Sequence, residues 1–122
     1  MGGKASILLV EDDSGIRDSL AQFLESEGHA VAQARDGAEG LERLGVARPG
    51  LILLDLHMPV MDGRQFLVRL RGDAALRDIP VVLMTGGGPQ AGWRRLPVEA
   101  VLSKPFELDE LLEAVRRASE RG

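Results

Sequence analysis

No cysteine occurs in the 122 residues, and that absence removes disulfide bridges, thiolate zinc sites and thiol nucleophiles together. Long apolar runs are missing too. The longest are of strand length, far short of the roughly 20 residues that a membrane helix needs. Met1-Gly2-Gly3-Lys4 leads straight into the first apolar run, without room for a signal peptide, so a cytoplasmic protein with no membrane partner is expected. A net charge of −4 recommends neither nucleic acid nor an anionic surface. Arg94, Arg95, Arg116, Arg117 and Arg121 read more simply as a solvated face than as a basic patch. Repeats and low-complexity tracts are also lacking. What remains, 44% hydrophobic and 28% charged residues, suits one soluble globular domain over residues 1–122.

Within that domain, short apolar runs alternate with stretches of helical periodicity. The alternation implies an α/β fold, a parallel sheet covered by helices on both faces. Strands are expected near Ser6 to Val10, Ala30 to Ala34 (weakly apolar, so an edge), Leu51 to Leu54, Val81 to Met84 and Ala100 to Ser103. The first helix is capped by Asp13 or Ser14, buries Ile16, Leu20, Phe23 and Leu24, and stops at Gly28. Asp36 caps a second, Gly37 to Leu44, with Ala38, Leu41 and Leu44 inward. A third follows the Met61-Asp62-Gly63 turn and carries Phe66, Leu67 and Leu70. The last starts near Glu107 and buries Leu108, Leu111, Leu112 and Val115. Between Gly86 and Pro97 the alternation asks for another helix, yet the glycines and prolines there allow only a short or irregular fourth helix around Gln90 to Leu96.

Four of the apolar runs each finish in a polar residue. Glu11 and Asp12 end the first, Asp55 the third, Thr85 the fourth, and Lys104 with Pro105 follows the fifth. Taken singly, each would be an ordinary turn or cap. Together, at the carboxyl ends of strands where open α/β sheets bind ligands, they are the parts of a magnesium-dependent phosphoryl-acceptor site. Both a carboxylate and a phosphoryl group carry negative charge, and a hard cation such as Mg2+ (or Mn2+) bridges them through oxygen ligands. Lys104 supplies a point charge to the phosphate oxygens and Thr85 a hydroxyl donor.

The segments ILLVEDD (7–13), LILLDLHMPVMDG (51–63), VVLMTG (81–86) and SKPF (103–106) resemble the receiver domain of two-component response regulators. The resemblance runs from about Ala5 to Ala118, the core of the domain. It implies a flavodoxin-like doubly wound sheet of five strands in the order 2-1-3-4-5. It makes Asp55 the phosphoacceptor for a histidine kinase or histidine phosphotransfer protein, and Asp12 a direct metal ligand. Glu11 then acts on the metal through water, and His57 through its backbone carbonyl, which a hard-oxygen site prefers to the imidazole. Thr85 and Lys104 become the catalytic and switch residues, while Asp13 is better read as a cap. His29, after Gly28, is a turn residue.

Two departures from the family pattern stand out. The aromatic residue common three positions before the lysine is here Val101, and the chain has no tyrosine at all. The stretch between Thr85 and Lys104 is also short. The expected function is phosphotransfer to Asp55 that switches binding of an unknown downstream protein, by a signalling domain rather than an enzyme. A monomer or weak dimer without direct nucleic-acid contact is expected. One alternative is an interaction module of the same fold that works without phosphate. Another is a free phosphatase with an aspartate nucleophile, but its Asp-x-Asp motif would fall where Glu11-Asp12-Asp13 stands.

Overall fold

A computed structural model describes residues 5–86 and 98–121. Its strands are β1 (Ser6–Val10), β2 (Ala30–Ala34), β3 (Leu51–Asp55), β4 (Val81–Thr85) and β5 (Ala100–Ser103). Its helices among the described residues are α1 (Ser14–Ser26), α2 (Gly37–Val46), α3 (Gly63–Arg71) and α4 (Leu108–Arg121). All strand pairs are parallel, in the order β2-β1-β3-β4-β5 that the resemblance implied. β2 is an edge, as its weak apolarity suggested. The helix expected around Gln90 to Leu96 lies outside the described residues.

Side chains alternate across a strand, so each run feeds two cores. Ile7, Leu9, Leu51, Leu53, Val82, Met84 and Leu102 face α1 and α4. Leu8, Val10, Ile52, Leu54, Val81 and Leu83 face α2 and α3. β3 and β4 are buried along their whole length, which explains why their sequences carry no polar alternation. Each fully buried leucine or isoleucine contributes about 1.5–3 kcal/mol of transfer free energy, and that rigid centre fixes where the strand tips end.

The caps of α1 and α2 follow the sequence reading and settle its one ambiguity, and a third cap joins them. Asp13, not Ser14, caps α1 and accepts from the Ile16 amide at 2.9 Å. Asp36 caps α2, and Asp62 with Gln65 forms a reciprocal capping box on α3. Gly28 follows α1 at φ 98°, a backbone region that disfavours side chains.

Three residues expected to face inward, Ile16, Ala38 and Leu108, are exposed. Ile16 is 42% exposed and Leu108 48%, because the first turns of α1 and α4 overhang the sheet's carboxyl rim; Leu112 is half-buried. The buried stripe of α1 is Leu20, Ala21 and Leu24, with Phe23 half-buried beside it. In α2, Ala38 is exposed and Leu41 half-buried, while Gly37, Gly40 and Leu44 face inward. The glycines are required by close approach: a Cβ on Gly40 would stand 2.9 Å from the Phe66 ring, and one on Gly37 2.9 Å from Met61. A contact face made of glycine leaves no trace in a hydrophobic pattern.

Candidate functional site

The carboxyl tips of β1, β3, β4 and β5 bring the expected residues together. Glu11 follows β1 directly, its amide extending the ladder to the Ala34 carbonyl at 3.0 Å. Asp55 is the last residue of β3 and Thr85 the last of β4. Lys104 follows β5, and its amide donates to the Thr85 carbonyl at 2.7 Å, tying the lysine's position to the threonine's. The Lys104–Pro105 peptide is cis.

Glu11, Asp55 and Thr85 are almost wholly buried, whereas Asp12 is exposed. Carboxylate oxygens of Glu11, Asp12 and Asp55 lie within 4.8 Å of one another. The Lys104 ammonium sits between two of these acids, 3.2 Å from Glu11 Oε1 and 3.4 Å from Asp55 Oδ1. Backbone amides supply further donors. That of Asp13 reaches Glu11 Oε2 at 3.2 Å, and that of His57 reaches Asp55 Oδ1 at 3.2 Å.

Electrostatics here are frustrated. Burial pushes the Glu11 carboxyl above its ordinary value, the Asp55 charge adds to that, and the Asp13 amide and Lys104 only partly offset it. Lys104 is itself held high: burial would lower it, but Asp55 and Glu11 outweigh that. Two unit charges about 4 Å apart interact by about 4 kcal/mol at an effective dielectric of about 20, so acids this close are a substantial cost. A cation beyond Lys104 would relieve it.

Three supports were not singled out in the sequence. Arg17 donates to the Glu11 carbonyl at 2.9 Å and to Gln33 Oε1 at 3.3 Å, pinning the β1 tip against β2 and α1. Gly63 donates its amide to Leu56 O at 2.9 Å, and a Cβ there would stand 2.8 Å from Leu56 Cα and 3.0 Å from Asp55 O. The glycine therefore lets the start of α3 press against the chain at Asp55. The signal was present in the Asp-Gly of the turn, which was read only as a turn. Arg71 pairs with Glu99 at 3.5 Å, and Glu99 accepts from the Val81 amide at 2.7 Å, locking the start of β4 to the strand beside it.

The loop after Asp55 bends sharply. Val60, 85% exposed, sits at φ 68°, an unfavourable conformation for a β-branched residue. His57 is exposed. Val101 is half-buried and packs on the α2/α3 side of the sheet. His29 does more than turn the chain: it is buried and its Nδ1 pairs with the Ala5 carbonyl at 2.9 Å.

Comparison with known proteins agrees with this arrangement. The family model for the response regulator receiver domain matches residues 7–116. Response regulator Rre1 of Synechocystis sp. is 40% identical over 121 residues, covering 95% of this chain and 52% of that protein. The chain thus spans about half the length of the curated relatives it matches. Chemotaxis protein CheY4 of Vibrio cholerae superimposes with a TM-score of 0.87 at 30% identity, over 94% of this chain and 98% of that one. The receiver domain of sensor histidine kinase PA1611 from Pseudomonas aeruginosa, solved with a magnesium ion coordinated in its active-site cleft, gives 0.87 at 28% identity over 96% and 98%. With family match, topology and strand-tip cluster in agreement, this chain belongs to the response regulator receiver domain family.

Proposed function

We propose that the chain accepts a phosphoryl group on Asp55 from the phosphohistidine of a histidine kinase or histidine phosphotransfer protein. The observation that carries this is the gathering of Glu11, Asp12 and Asp55 oxygens within 4.8 Å, with Lys104 bridging two of the three. An all-oxygen, acid-rich donor set suits Mg2+ or Mn2+, which take hard ligands and retain water. Asp12 and Asp55 would hold the ion directly, Glu11 through water, and His57 through its backbone carbonyl. Once bound, the ion neutralises charge between carboxylate and phosphate.

The protein's own groups do the rest. An Asp55 carboxylate oxygen attacks phosphorus while the histidine nitrogen leaves and takes up a proton. Lys104 moves its charge from Glu11 and Asp55 to the phosphoryl oxygens. The Thr85 hydroxyl donates to the same group. Gly63 and Arg17 hold the tips so that little reorganisation is needed.

The role is that of a signalling domain and not of an enzyme with turnover. Residues 1–122 act as one receiver unit with its core over about 5–118, working in the cytoplasm where its kinase presents phosphohistidine, as a monomer or weak dimer. The domain makes no direct nucleic-acid contact in this function. Arg116 and Arg117, the basic pair on α4, are neutralised by Glu113 and Glu120. The phosphatase alternative loses ground because Asp13 is spent capping α1. Phosphate-independent binding draws on aliphatic Val101 at the switch position and on the short Gly/Pro-rich stretch between Thr85 and Lys104, most of which lies outside the described residues. An output carried by Thr85, whose carbonyl accepts from the Lys104 amide at 2.7 Å, answers it.

Incubation with acetyl phosphate and Mg2+ followed by mass measurement tests the proposal. One phosphoryl group should be gained by the parent and none by Asp55→Asn. No gain in the parent favours the phosphate-independent module.

A further inference from the structure

The other end of the sheet carries a feature that phosphotransfer does not use. Beneath the C-terminal end of α2, near the first residues of β1 and β2, lies a cavity of about 290 Å3. Leu8, Ala30 and Ala32 line it from the sheet, and Val46 and Pro49 from α2 and the turn after it. It exists for a sequence reason. On its α2 face the edge strand β2 presents alanines. Ala34 is buried in the core beside Leu44, while Ala30 and Ala32 remain exposed where α2 has already ended. Val46, at that helix end, is 86% exposed.

The wall chemistry is one-sided. Arg43 and Arg48 line the cavity, and no acidic residue does. Each guanidinium is held by a backbone carbonyl, Arg43 Nε on Gln33 O at 3.2 Å and Arg48 Nε on Ala75 O at 3.4 Å. Among the described residues neither is ion-paired, in contrast to Arg71, Arg116 and Arg117. Both keep further N–H donors in a planar fork that matches a carboxylate.

We propose that this cavity binds a small aliphatic carboxylate, tail against Leu8, Ala30, Ala32 and Val46, head on Arg43 and Arg48. Apolar walls with a few convergent polar groups are the common make-up of a ligand site, and the volume falls just under the usual range of about 300–1,000 Å3. A medium-length chain fits that space better than a drug-sized molecule. Cations are repelled by the guanidinium pair, and short acids such as propionate bury too little. Since β1 begins at Ser6 beside the cavity and ends before Glu11 at the acidic cluster, occupancy leaves Asp55 accessible.

The experiment is an amide NMR titration of the full chain with octanoate below its micellar concentration, with octylammonium and propionate as comparisons. Saturable shifts are expected at Ala30, Ala32 and Val46 with octanoate, and weak or no binding with the other two. Arg43→Gln/Arg48→Gln, both at exposed positions, should weaken octanoate about tenfold or more through lost charge-assisted contacts. Ala32→Phe, which fills the space, should abolish binding while Asp55 still gains phosphate from acetyl phosphate. Equal binding of octylammonium, undiminished affinity in the arginine double variant, or shifts that never saturate would each overturn the proposal.

Discussion

Glu11 and Glu113 are the same distance from their backbones and have opposite electrostatic fates. Glu11 lies buried beside Asp55, and its carboxyl is pushed up mainly by burial. Glu113 stands in solvent on α4, and its carboxyl is pulled down by hydrogen bonds from Arg116 and Arg117, at 2.6–2.9 Å. On the helix, spacing of three and four residues lets each charge find a partner. At the strand tips, the sheet dictates position and the acids accept the company they are given. An unfavourable cluster held by a rigid frame marks a candidate site for a ligand, and the proposed function makes that ligand a cation and a phosphoryl group.

The sharpest way to break that contrast is to remove one of the proposed ligands. Asp12→Ala should reduce Mg2+ affinity at least about 100-fold, given that even outer-shell partners of metal ligands are worth 10- to 100-fold. Calorimetric titration reads this directly. Unchanged affinity would mean that the acids are not a cation site.

Next in size is the frame itself. Gly63→Ala places a methyl against Leu56 Cα and Asp55 O, backbone atoms that cannot rotate away. Overpacking of this kind costs about 1–3 kcal/mol, and phosphorylation should slow as Asp55 is displaced. Gly45→Ala is the control: nothing lies within 4 Å of a Cβ there, and α2 should gain about 0.5–1 kcal/mol. Urea denaturation of both variants gives the signs. The comparison fails if Gly63→Ala is neutral.

The pH dependence separates the two carboxylates. Glu11 has a folded pKa raised above its ordinary 4.5, so its stabilising contribution is complete below that value and is lost as pH rises through the folded pKa. In the absence of divalent ions, acidification through that window should strengthen the fold. Asp55→Asn should shrink the effect, because one of the charges raising Glu11 is gone. Glu113 has the opposite sign: its contribution is present above 4.5 and disappears as pH falls through its lowered value. Its window therefore lies below that of Glu11. Unfolding measured across a pH series with chelator present, for parent and Asp55→Asn, checks both direction and order.

How much of this was legible follows from the same physics. The β3 and β4 runs are buried on both faces, so their apolar sequences and terminal Asp55 and Thr85 announced themselves. Asp13 and Asp36 cap where capping residues were read. What stayed hidden involves contacts that composition does not encode. Gly37 and Gly40 face inward because Met61 and Phe66 come to them, and Ile16 is exposed because its turn runs past the sheet's rim. Arg17 reaches the Glu11 carbonyl only once α1 is laid against β1. The Arg43 and Arg48 cavity likewise depends on where α2 stops relative to Ala30 and Ala32, a tertiary fact.

The smallest effect tests the other side of the contrast. Glu113→Gln removes the shared acid between Arg116 and Arg117, yet Arg116 keeps Glu120 at 2.8 Å. Exposed ion pairs gain little because water screens them and ordering two long side chains costs entropy. The melting temperature should therefore hardly move at neutral pH, and added salt should change parent and variant alike. A clear destabilisation would show that α4 is held in place by its charges. The buried stripe of Leu111, Ala114, Val115 and Ala118 argues against that, because it packs on the sheet whether or not Glu113 is charged.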